Sequence, residues 1–202
     1  MADTDIQLYV NSMARIRERI NYVQTVNVNK IEVGSTVFKA ELMFLNLRKV
    51  LEEIAFSTLA ANKDVYSTAY TNFSTHWKAK AILEELKKLN TNFYPVALKD
   101  PISAGHDRHF EPIQDGYMTP DEFVTLYQAS SEVLHTRNPY KEGDPTVQAK
   151  YTVQEWVWRI QTLLSLHRVQ LLNGSLWIVN IPPTGNVHAS PATPISVSGT
   201  AI

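Results

Sequence analysis

From about Ser35 to Ala61 the chain runs without a glycine or proline and is rich in Ala, Leu, Glu and Lys. That composition favours a long helix. Its apolar residues fall into two rows, Phe38-Leu42-Leu45 and Phe44-Leu47-Leu51-Ile54. A helix with one apolar stripe packs on one neighbour, whereas two rows on one helix imply more than one neighbour. The segment therefore reads as the central helix of a bundle.

The flanking segments agree with an α-helical reading. Ile6, Val10, Met13, Ile16, Ile20 and Val23 repeat in steps of three and four, which predicts a helix from about Asp5 to Asn27. Glu32-Val33-Gly34 breaks the pattern, and Ser35 offers the next cap. Trp77–Leu89 reads as a third helix, with Lys78, Lys80, Lys87 and Lys88 offset by Glu84 and Glu85 on a solvated face. Asn90 to Met118 contains three prolines and two glycines and reads as a long irregular connection. Thr119-Pro120-Asp121-Glu122 is the clearest helix start: a capping threonine, proline at the first helical position, and a glutamate placed to close a capping box. That helix runs to about His135 and stops before Asn138-Pro139. Thr152 with Glu155 marks another start, followed by Trp156, Ile160, Leu163 and His167 at helical spacing. Asn173-Gly174 between β-rich arms predicts a hairpin over about 168–181.

The expected architecture is mainly α, a bundle of about five helices with a short C-terminal β-hairpin. Residues 1–181 form one domain in this reading. Residues 182–202, with four prolines and no charge, form an extended tail.

Composition narrows the chemistry. The 202 residues include no cysteine, which excludes a disulfide framework, a thiolate metal site and a cysteine nucleophile. The formal charge is −1, yet residues 1–99 carry 13 basic and 10 acidic groups and residues 100–155 carry 4 and 10. Surfaces of opposite sign admit a homo-oligomer, and the overall balance advertises no polyanion. The polar, acidic start lacks a secretory signature, and no run has the roughly 18 apolar residues of a membrane span, so the expected setting is cytoplasmic. No phosphate-cradling loop, nucleophile elbow or DNA sequence-reading motif is present, and no cofactor is expected.

Four groups of residues carry chemistry in principle. His106 and His109, with Asp107, Glu111 and Asp115, are metal-ligand types, although their spacing fits no structural zinc pattern and no metal is expected. Asp115 to Phe123 resembles the second half of a calcium loop, but the first half fails, and the capping box accounts better for Glu122. His135, Arg137 and Asn138 bring an imidazole, a guanidinium and an amide to a helix end. Those groups suit a metal-free ribonuclease, with His135 as base and Arg137 and Asn138 toward phosphate. A histidine that merely offsets the helix dipole is the plainer reading. Arg48 and Glu52, one turn apart on the long helix, are either an ordinary ion pair or the binding elements of a groove.

Leu47-Arg48-Lys49-Val50-Leu51-Glu52-Glu53-Ile54, Asn92-Phe93-Tyr94-Pro95 and Leu134 to Pro139 together resemble bacterial proteins related to the HEPN superfamily, over about residues 35–140. The resemblance implies a helical module that engages RNA or a protein partner in bacterial or mobile-element defence. A metal-independent endoribonuclease is the alternative, and a structural interaction protein a third. HEPN ribonucleases carry an arginine, then four to six residues, then a histidine. Here His135 precedes Arg137 and no such spacing occurs, which favours a non-catalytic member.

Overall fold

In a computed structural model of the chain, the described residues are 2–61, 84, 87–88, 91–104, 107–135, 149–171 and 174–193. The long central segment is helix α2, Thr36–Ala61, and it is preceded by α1, Ala2–Asn27. Ser35 Oγ accepts the Val37 N–H at 3.2 Å and caps α2. At the end of α1, Asn29 adopts a left-handed φ of 57°, its N–H reaches Val26 O, and the Lys30 N–H reaches Thr25 O. This is a Schellman ending with asparagine in place of glycine.

The two long helices run antiparallel. Three bonds fix the register: Arg15 to Glu53, Arg19 to Asn46, and Lys39 Nζ to the Asn27 carbonyl, stepping down one helix as they step up the other. Between them lie the Met13-Ile16-Ile20-Val23 stripe of α1 and the Phe44-Leu47-Leu51-Ile54 row of α2, all buried. The second row on α2 has a different fate. Phe38 is 63% exposed and Leu45 39% exposed, while Leu42 is half-buried.

Helix α3, Pro120–Leu134, packs on α2. Its capping box is complete, with Thr119 Oγ1 accepting the Glu122 N–H and the Glu122 carboxylate accepting the Thr119 N–H. Helix α4, Val153–Leu164, starts at Thr152, whose hydroxyl accepts the Glu155 N–H. It buries Trp156, Val157, Ile160 and Leu163. The helices among the described residues therefore number four, not five. The remaining expected helix, Trp77–Leu89, lies largely outside them, although Glu84, Lys87 and Lys88 are helical.

The β component is larger than a hairpin. Strands β4, Leu166–Gln170, and β5, Leu176–Asn180, form the expected antiparallel pair, with Gly174 at φ 84° in the turn. Two further strands extend it on either side into a four-stranded antiparallel sheet of order β1-β4-β5-β6. Strand β1, Val96–Ala97, comes from the segment read as an irregular connection. The same segment holds a separate hairpin of β2, Ile102–Ala104, and β3, Asp107–His109. Backbone bonds from Leu98 to Leu166, Ile113 to Ala97 and Lys99 to Glu111 lace the two parts together. Strand β6, His188–Ala192, comes from residues read as a tail. It is an edge strand, where Pro191 leaves no ladder bond unmade on an inner position. Just before it, Val187 is buried. The extended-tail reading is thus corrected for residues 182–193; residues 194–202 lie outside the described set. His167, placed by spacing on the last helix, sits instead on β4, because Ser165 ends α4 and the chain turns directly into the sheet.

Candidate functional site

Arg48 projects from α2 toward α3 and is the best-organised cation on the bundle's flank. Its Nε lies 3.2 Å from Glu52 Oε1, its Nη1 donates to Ser131 Oγ at 2.7 Å, and its Nη2 donates to Tyr127 OH at 2.9 Å. The guanidinium also lies 4.5 Å from the centre of the Tyr127 ring. Arg48 and Glu52 keep 28% and 25% side-chain exposure, so the cluster is open to solvent on one side.

His135 belongs to the same neighbourhood. It is the C-cap of α3, and its backbone N–H bonds to Ser131 O, the residue whose hydroxyl receives Arg48. His135 thus lies one turn of α3 beyond the serine that Arg48 reaches. The His135 side chain is exposed, and no described residue holds its imidazole. Arg137 and Asn138 lie outside the described residues.

Among the described residues the metal-ligand types do not converge. No group of three or more His, Asp or Glu capable of holding a metal occurs among the described residues. His109 is exposed on β3, His106 lies outside the described residues, and Glu111 is engaged by Lys99 at 2.9 Å.

Glu122 is a structural hub, as the capping reading anticipated and the calcium-loop reading did not. Its buried carboxylate accepts from the Thr119 N–H, Lys150 Nζ, Tyr151 OH and Arg159 Nη1 at 2.8–3.2 Å. Burial by itself pushes the carboxyl up, but the bonds from Lys150, Tyr151 and Thr119, with the charge of Arg159, together hold it below the usual carboxylate range. Arg159 stacks 4.1 Å from the Tyr151 ring centre. A carboxylate satisfied four times over has no capacity left for a cation.

One buried pair was invisible in the sequence. Tyr9 OH lies 2.8 Å from His167 Nε2, and His167 Nδ1 lies 2.8 Å from Leu164 O. A carbonyl only accepts, so Nδ1 carries the proton and Nε2 accepts from Tyr9. Burial lowers the His167 pKa to about 4 and raises that of Tyr9, so both side chains are neutral near pH 7. With no exposed atoms, this pair joins α1 to β4 and does no chemistry on a solvent-borne substrate.

No protein-family model, curated protein or solved structure matches the chain. No helix among the described residues is long and apolar enough to cross a membrane.

Proposed function

We propose that the chain is a non-catalytic interaction module of the HEPN-like helical kind, engaging a protein partner through the outward face of α2. The observation that carries this reading is the row of apolar side chains that α3 and α1 leave uncovered: Phe38 at 63% exposure, Val37 at 58% and Leu45 at 39%. They lie on the same helix as the part-exposed Arg48–Glu52 pair, giving apolar anchors beside a polar element, the usual make-up of a protein interface. Cysteine-free composition is compatible with a cytoplasmic setting, and the HEPN resemblance suggests a role in defence.

RNA is the less supported partner. Phosphate-led binding needs cations free to displace counterions; Arg15, Arg48, Lys99, Lys150 and Arg159 are each within 2.8–3.8 Å of a carboxylate, whereas Arg17, Arg19 and Lys39 donate to neutral oxygens. The endoribonuclease reading retains only the exposed His135 at the end of α3, with no described residue to orient it as a base.

A photo-crosslinking amino acid at position 38 tests the proposal in the native host, with the same label at exposed Trp158 as the reference. A discrete adduct from position 38 alone, destroyed by protease and resistant to ribonuclease, is the expected result, and its mass distinguishes a second copy from another protein. A ribonuclease-sensitive adduct, or equal labelling from both positions, overturns it.

A further inference from the structure

A cleft of about 230 Å³ opens between α1 and α4 and is bordered at one end by Ile181, Pro182 and Pro183, just after β5. Ile16 and Ile20 from α1 and Ile160 and Leu164 from α4 are buried beneath it, each no more than 2% exposed, and its accessible apolar surface comes from Ile181, Pro182 and Pro183. Its walls carry Arg17, Asn21 and Gln24 on one side and Gln161 and Ser165 on the other. Among the described residues, no acidic residue lines it. Arg17 Nη1 donates to Pro182 O at 3.0 Å, which fixes the guanidinium at the mouth. Arg15, Arg48 and Arg159 are each tied to a glutamate, but Arg17 has no carboxylate within ion-pair distance among the described residues. Its Nε and Nη2 hydrogens make no hydrogen bond to a described residue. The amides of Gln24 and Gln161 meet at 3.5 Å, the outer limit of a hydrogen bond, and are free to pair elsewhere.

We propose that this cleft binds a small organic carboxylate with an apolar body. The hydrocarbon part lies against Ile181, Pro182 and Pro183, the carboxylate accepts from the open edge of Arg17, and the Asn21 and Gln24 amides supply further donors. A guanidinium presents two parallel N–H groups that match a carboxylate's two oxygens. A single cation in an acid-free, partly desolvated cleft selects a monoanion over a phosphate dianion, which would need a second cation to offset its charge. The volume falls below the usual range of about 300–1,000 Å³ for ligand pockets, so the occupant has about ten non-hydrogen atoms.

Titration of the full chain with phenylacetate, followed by amide chemical shifts, tests this. Phenylacetamide serves as the neutral isostere, acetate as charge without body, and inorganic phosphate as the other anion. The expected result is saturable shifts confined to residues 16–24, 160–165 and 181–183, with phenylacetate at least tenfold tighter than any of the three controls. Arg17→Gln reduces that affinity at least tenfold, and Arg17→Lys, which keeps the charge and loses the fork, falls between. Gln161→Trp, which fills the mouth without touching Arg17, abolishes the shifts and holds the test open should Arg17→Gln disturb the fold. Equal binding of phenylacetamide, tighter binding of phosphate, or phenylacetate affinity unchanged in Arg17→Gln or Gln161→Trp overturns the proposal.

Discussion

Tyr9 and His167 show how much a single residue's role depends on what folds against it. Both are polar at one end and wholly buried, and each supplies the other's missing partner. Burying His167 without Tyr9 would leave Nε2 unsatisfied, at about 1–3 kcal/mol. The pair has a consequence for acid stability. His167 binds its proton at about pH 4 in the folded chain against 6.5 when unfolded. The unfolded state therefore takes up the proton first as pH falls. The stabilisation is complete above pH 6.5, declines below it, and is gone as pH passes the folded value. Denaturant unfolding should show a loss of about 3 kcal/mol between pH 7 and pH 4. The slope over that window should flatten in His167→Gln; an equal slope in the variant would assign the loss to other groups. Nothing in the local sequence marks this histidine, because its partner lies 158 residues away.

At the scale of elements, the helix starts were legible and the helix contacts were not. Ser35, Thr119 and Thr152 cap the helices that their spacing announces, since a cap is satisfied within four residues of the chain. Which row of α2 is covered depends on where α1 and α3 arrive, and periodicity alone gives both rows equal claim. Arg48 likewise reads as an ordinary ion pair within one helix, yet two of its three hydrogen-bond partners are on α3. Glu122 carries the clearest energetic prediction, because it joins the start of α3 to α4 through Arg159, which is only 17% exposed. Glu122→Leu removes the buried carboxylate and leaves that guanidinium with only the more exposed Glu155 at 3.8 Å, and should cost about 3 kcal/mol in equilibrium unfolding. The double variant Glu122→Leu/Arg159→Met should recover most of the loss, since replacing both members of a buried pair with apolar groups is close to neutral. Failure of the second change to recover stability would mean that Lys150 and Tyr151, not Arg159, dominate the hub.

For the whole molecule, the sheet is the feature that most changes the reading of the chain. Four strands drawn from residues 96–97 and 166–192 form one sheet against α1 and α4, and two of the four come from segments with the composition of loops. Truncation after Ile181 removes β6, exposes the edge of β5, and deletes the buried Val187 and the carbonyl that holds Arg17. The expected cost is about 3 kcal/mol, seen as a fall in Tm of roughly 6–12 °C for a chain of this size. Concentration-dependent association through the bared strand should accompany it. Truncation after Thr193, which keeps all four strands, is the reference. Equal Tm values for the two would return residues 182–193 to the role of a tail.

The sequence by itself determined the mainly helical character, the starts of α2, α3 and α4, and the central hairpin. These follow from propensity, periodicity and caps, which act over a few residues of contiguous chain. Only the tertiary structure decided that Pro-containing segments complete the sheet and that Tyr9 meets His167. It also decided that Arg48 locks onto α3 and that Arg17 faces a cleft without a carboxylate. Each of these depends on groups far apart in sequence, and no local free energy distinguishes their pairing until the chain has closed around them.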